Sequence, residues 1–292
     1  MQKVVLITGA SSGFGQVMAG YLAQMGFAVW GTSRKAETGT ADGNYKMISM
    51  DVQDDDSIKS AVERIMAEDG RIDVLINNAG ISLVSPLEET PLSTMQTVLD
   101  VNLSGVLRVC QTVVPTMRQQ KSGLIINISS IGGLMGLPFR GIYSASKFAL
   151  EGFTESLSME MKPFGISVCL VEPGDFKTNI AQNRLRVDLG GNSPYGNISA
   201  MVEKVANAQM EKAASPERMG PAIYSIIKKG KPKLRYRVGS SMEKLSVLLK
   251  KVLPGRLFEK IILNYYKLYI TKKMCSCPAL NDQIGILVHQ PN

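Results

Sequence analysis

Two patterns of apolar residues alternate along the chain. Short runs that are apolar at nearly every position occur at Lys3–Thr8, Ala28–Gly31, Tyr45–Met50, Ile72–Ile76, Leu124–Ile128 and Ile166–Val171. They have the length of strands and the composition of strands buried on both faces. Between them, apolar positions recur at helical spacing: after Gly15 (Val17, Met18, Tyr21, Leu22, Met25), over Asp54–Glu68, over Pro91–Arg118 and over Tyr143–Met161. Such regular alternation predicts an α/β fold, a doubly wound parallel sheet of the Rossmann type. Beyond a last short strand at Leu234–Val238, two amphipathic helices are expected over Glu243–Leu253 and Leu257–Ile270, parted by Pro254-Gly255. The expected organisation is one domain over residues 1–240, a basic helical extension over 241–275 and a tail over 276–292.

Composition narrows the chemistry. The 292 residues are 45% hydrophobic and 20% charged, with a mean hydropathy of +0.04, as in an ordinary soluble protein. No apolar run approaches the ~18 residues of a spanning helix, and the first residues do not read as a leader, so the expected location is cytoplasmic. Cys110 and Cys169 lie in apolar segments and are expected to pack as small hydrophobes. Cys275 and Cys277 have no accompanying ligands, and His289 is the single histidine, so neither a metal site nor histidine-based hydrolysis is expected. The net charge is +8, but Lys228–Lys273 alone carries +12, which leaves −4 elsewhere. Basicity belongs to the C-terminal segment.

In a doubly wound sheet, ligands lie outside the carboxyl ends of the strands, and the unusual residues cluster at those ends. The first strand runs into Thr8-Gly9-Ala10-Ser11-Ser12-Gly13-Phe14-Gly15 and then a helix, the context in which backbone N–H groups hold a pyrophosphate. The same turn could simply be a tight one. The second strand ends at Thr32-Ser33-Arg34, where an acidic residue would read a ribose 2′-hydroxyl; a hydroxyl and a guanidinium stand there instead. Arg34 suits a 2′-phosphate, which points to NADP(H), although an arginine on a solvated loop is the plainer alternative. Asp51-Val52 follows the third strand and Asn77-Asn78-Ala79-Gly80 the fourth. Glu172-Pro173-Gly174, with Thr178 beyond, follows the sixth.

The stretch Ser129–Lys147 holds the candidate chemistry. Tyr143 and Lys147 stand four apart on one helical face, and Ser130 ends the strand before them. A phenol is a poor acid at neutral pH, and an adjacent ammonium is expected to lower the Tyr143 pKa. A serine hydroxyl can hold an oxygen on which charge develops. Because neighbours on a strand face opposite ways, only one of Ser129 and Ser130 can meet Tyr143.

Taken together, TGASSGFG, NNAG, the Asn102 segment, Ser130, YSASK and PG with Thr178 resemble the short-chain dehydrogenase/reductase family over roughly residues 1–240. The GGLMGLPF loop at Gly132–Phe139 is similar to its hydroxysteroid and retinol dehydrogenase branch. Phe14 departs from the pattern, where the family most often has Ile. The resemblance implies a tetrad of Asn102, Ser130, Tyr143 and Lys147. In it Tyr143 is the acid/base, Ser130 polarises the carbonyl, Lys147 binds the nicotinamide ribose and Asn102 holds a water. It further implies cofactor contacts from Gly9, Ser11, Ser12, Gly13, Phe14 and Gly15, from Ser33 and Arg34, from Asp51 and Val52, from Asn78, Ala79 and Gly80, and from Pro173, Gly174 and Thr178. A homodimer or homotetramer is also implied.

Leu134, Met135, Leu137 and Phe139 would give a bulky apolar substrate its pocket, or they pack in the core or a subunit contact. Thr178–Ala214 is expected to cover the substrate. The C-terminal apolar stripes either pack near the substrate mouth or lie on an anionic membrane surface. Nothing reads as a nucleic-acid motif. The expected function is an NADP(H)-dependent oxidoreductase on an alcohol/carbonyl pair of a bulky apolar substrate. A 3-oxoacyl-type reductase and a non-catalytic NADP-binding sensor are the alternatives.

Overall fold

The structure is a computed structural model that describes residues 2–37, 39–41, 45–177 and 184–268. The strands are β1 (Val4–Ile7), β2 (Ala28–Ser33), β3 (Gly39–Ala41), β4 (Tyr45–Ser49), β5 (Val74–Asn77), β6 (Leu83–Val84), β7 (Gly123–Ile128), β8 (Ile166–Pro173), β9 (Leu185–Arg186) and β10 (Arg235–Val238). The helices are α1 (Gly13–Gln24), α2 (Asp55–Asp69), α3 (Leu92–Leu99), α4 (Gly105–Gln120), α5 (Gly141–Met161), α6 (Gly196–Lys212), α7 (Met219–Lys228), α8 (Ser241–Val252) and α9 (Gly255–Tyr265). Among the described residues one large sheet has the order β10-β8-β7-β5-β1-β2-β4-β3. All its pairings are parallel except β3 against β4.

The strands are apolar throughout because both faces of the sheet are covered. Within β1, Val4 and Leu6 enter the core packed by α2, α4 and α5, whereas Val5 and Ile7 enter the core packed by α1 and α7. That division follows from the two-residue repeat of a strand. Local chemistry sets helix ends too. Asp54 caps α2 by accepting from the N–H groups of Asp56 and Ser57, and Gly70 ends it at φ 69°. Cys110 and Cys169 are buried, each with its thiol pushed up to about 12 by desolvation.

The helix expected over Pro91–Arg118 is present as α3 and α4, continuous through a π-helical turn at Asp100–Ser104 that contains Asn102. Of the segment expected to cover the substrate, residues 178–183 lie outside the described residues; in the rest, β9 pairs with β6 and α6 follows. Of the two readings of the apolar loop, packing holds at Met135. Met135 is buried against Val247 and Phe258, with Leu134, Leu137, Leu249, Leu253 and Ile262 around them. Helices α8 and α9 therefore dock on the loop next to Ser130. The docking seam uses only part of their apolar surface: Leu245, Leu248, Val252 and Ile261 are exposed. No helix among the described residues is long and apolar enough to cross a membrane. Thr178, Cys275, Cys277, His289 and the tail lie outside the described residues.

Candidate active site

A cleft of about 1020 Å³ runs along the carboxyl ends of the central strands. One end is formed by Ser33, Arg34, Asp51 and Val52; its middle by Gly9, Ser11, Ser12, Gly13 and Phe14; its far end by Asn78, Ala79, Gly80, Tyr143 and Lys147. Gly15, Asn102, Ser130, Pro173 and Gly174 do not line it. Gly15 lies behind the turn, where an added Cβ would come 2.2 Å from the Gly9 carbonyl oxygen. Gly9 adopts φ 68°, and a Cβ there would come 2.9 Å from the Ala79 Cα. Both positions require glycine.

The cleft fits a dinucleotide. Ser12 precedes α1 without a side-chain cap, so the first N–H groups of the helix remain available to a pyrophosphate. The turn is pinned from behind by a residue that sequence reasoning missed. Thr8 Oγ1 accepts from the N–H groups of Asn78 and Ala79, both at 2.9 Å. Asn78 Nδ2 in return donates to the carbonyls of Thr8 and Gly9. The Phe14 ring meets Phe176 edge-on at 5.1 Å, which ties the turn to the segment after β8.

Tyr143 lies in the first turn of α5, next to Ser130: a Cβ added at Gly132 would come 3.4 Å from both the Ser130 Oγ and the Tyr143 ring. Ser130 begins a short 3-10 turn, and its Oγ accepts from the Gly132 N–H at 3.0 Å. Ser129 turns the other way, toward Glu151. Lys147 is buried one turn after Tyr143, and its Nζ donates to the Ile128 carbonyl at 2.9 Å. Asn102 is also buried. Its Nδ2 donates to the Ile81 carbonyl (3.0 Å) and to Ser146 Oγ (3.0 Å), while its Oδ1 accepts from the Ile81 N–H (2.8 Å). Ser146 in turn donates to the Tyr143 carbonyl at 2.7 Å. Ser146 thus links Asn102 to the backbone of Tyr143; its place three residues after the tyrosine was the available clue.

The electrostatics correct one expectation. Burial raises the Tyr143 pKa, and the Ser130 hydrogen bond and the Arg140 charge offset this only in part. Burial also brings the Lys147 pKa down to about 8, with Glu151 opposing.

The model of the short chain dehydrogenase family matches residues 3–187. A 3-ketodihydrosphingosine reductase from Bacteroides thetaiotaomicron is 41% identical over 265 residues, spanning 90% of this chain and 98% of that protein. The human 17-beta-hydroxysteroid dehydrogenase type 1 is 36% identical over 257 residues, spanning 80% and 77%. The crystal structure of a short-chain dehydrogenase from Streptomyces avermitilis superposes with a TM-score of 0.71 at 31% identity, covering 89% of this chain and 97% of that one. With the sheet order, the glycine turn and the Ser130–Tyr143–Lys147 arrangement already described, these matches establish that the chain belongs to the short-chain dehydrogenase family.

Proposed function

We propose that the protein is an NADP(H)-dependent reductase of a ketone on a long-chain, lipid-like substrate, with 3-ketodihydrosphingosine the first to test. The observation that carries the reading is the placement of Ser130 next to Tyr143 at the end of the dinucleotide cleft, beside buried Lys147. NADP is favoured over NAD by Arg34, which directly follows β2 at the rim of the cleft; Glu37 and Asp51 line the same end. The substrate class is supported by the name of the 41% identical relative and by the exposed apolar residues of α8 and α9 beside lysines, which suit contact with a lipid surface.

When bound, the nicotinamide supplies the hydride chemistry. Ser130 Oγ holds the carbonyl oxygen by hydrogen bond as charge develops on it. Tyr143 donates its phenolic proton to that oxygen, and its raised pKa keeps the proton in place until then. Lys147 lies within the cleft wall, where its amine can meet the ribose hydroxyls and the resulting phenolate. Asn102, fixed on Ile81 and Ser146, braces the π-turn against the start of α5.

The test is consumption of NADPH and of NADH with purified protein on long-chain keto-lipids, steroids, retinal and 3-oxoacyl thioesters, with Tyr143→Phe as control. Turnover of keto-lipid with NADPH, lost in the variant, is expected. Turnover on thioesters alone, or cofactor binding without turnover on any ketone, would replace this reading.

A further inference from the structure

Beside Tyr143 the structure gathers charge where an apolar ketone would need none. Arg140 stands three residues before Tyr143 at the start of α5, and Asp175 lies two residues past Pro173 at the end of β8. Neither lines the nucleotide cleft. Both act on Tyr143 electrostatically, in opposite senses, and Arg140 acts on Asp175. Among the described residues the Arg140 side chain makes no hydrogen bond or ion pair, and its Nε is shut off from solvent. The Asp175 carboxylate accepts no hydrogen bond either, although its backbone N–H is held by Glu243. Arg184, 6% exposed, adds a second guanidinium whose Nε lacks a partner, and Tyr266 is buried among these groups.

The backbone is bent to make this arrangement. Phe139 adopts φ 58°, a left-handed conformation that a bulky residue avoids, and its carbonyl is held by the Ser85 N–H at 2.8 Å. The strain places Arg140 at the head of α5. A partly desolvated guanidinium and a carboxylate that attract each other but hold no hydrogen bond to each other or to a neighbour remain costly. They become favourable when a ligand brings a complementary donor and acceptor. The apolar loop residues that would have suited a steroid face α8 and α9 instead.

We propose that the substrate carries an amino group and a hydroxyl beside its reacting carbonyl, the ammonium bound by Asp175 and the hydroxyl oxygen by Arg140. This deepens, and rests on, the ketone-reductase reading. The class is a long-chain amino-alcohol ketone, of which 3-ketodihydrosphingosine is one. Burial raises the Asp175 pKa, so a cation bound there also restores the carboxylate.

The experiment measures kcat/KM of the full chain with NADPH on three ketones of equal length: 3-ketodihydrosphingosine, its N-acetyl derivative, and a ketone without amine or hydroxyl. Wild type is expected to prefer the amine over the N-acetyl compound by about a hundredfold, the scale of a desolvated charge pair. In Asp175→Asn that ratio falls to near unity, and Asp175→Glu recovers much of it. Arg140→Gln lowers the preference for the hydroxylated ketones over the plain one. A wild type that uses the plain ketone as well as the amino ketone overturns the inference and leaves the reductase reading standing. An Asp175→Asn variant that loses activity in equal proportion on all three also overturns it. No turnover of any ketone removes the reductase reading and this inference with it.

Discussion

Glu243, in the first turn of α8, accepts a hydrogen bond from the backbone N–H of Asp175, 68 residues earlier in the chain. Its other oxygen accepts from the N–H (2.6 Å) and the hydroxyl (2.7 Å) of Ser240, completing a capping box. Gly174 leaves room for it: a Cβ there would come 2.3 Å from the Glu243 carboxylate. One side chain thus starts the C-terminal extension and holds the segment after β8. Glu243→Ala is expected to cost about 2 kcal/mol in urea unfolding, the scale of a lost cap and a charge-assisted hydrogen bond. It should also raise KM for the ketone more than it lowers kcat. Unchanged stability and KM would mean that the extension docks without it.

Gly15→Ala should abolish cofactor binding. The added carbon meets the Gly9 carbonyl, part of the phosphate turn's backbone, at 2.2 Å, and at 2.7 Å Asn78 Nδ2, the side-chain amide that donates to the turn's Thr8 and Gly9 carbonyls. Titration of NADPH by fluorescence checks this; wild-type affinity in the variant would show that the turn relaxes freely.

Burial of Lys147 has a pH-dependent consequence. Its folded pKa, about 8, lies below the ordinary 10.5. Between these values the unfolded chain binds more protons than the native one, so this group makes stability rise with pH across that window. Below the window the buried charge costs roughly 3 kcal/mol. Lys147→Met should therefore stabilise the cofactor-free protein at pH 7, with the gain shrinking toward pH 10, while turnover is lost. Urea unfolding at the two pH values reads this, and a gain independent of pH would contradict it.

Tyr143→Phe removes the proposed proton donor and leaves the ring. The expected loss in kcat is about a thousandfold, within the range of general acid catalysis, with cofactor affinity changed by less than about threefold. A variant retaining a tenth of wild-type kcat would move the proton donor to another residue.

Arg34→Ala tests the cofactor preference. The ratio of kcat/KM for NADPH over NADH should fall about thirtyfold, the worth of a charge-assisted contact to a 2′-phosphate. A ratio that stays constant would leave Arg34 as a solvated loop residue.

The chain's own sequence determined the elements and the site's address. Apolar runs such as Val4–Ile7 and Ile166–Pro173 mark buried strands because a strand covered on both faces has no polar side. The glycine turn, Ser130, Tyr143 and Lys147 were legible because their spacing within strand, turn and helix fixes where each falls. Tertiary structure decided what depends on partners distant in the chain. The edge strand β3 is too short to announce itself and exists by pairing with β4. The π-turn at Asn102 is braced by Ile81 and Ser146. Met135 could have faced a substrate, but Val247 and Phe258 cover it. The Tyr143 pKa is raised because desolvation, a property of the packed fold, outweighs the favourable groups around the phenol. The charges that flank Tyr143, Arg140 and Asp175, lie 35 residues apart, and only the fold brings both to one tyrosine.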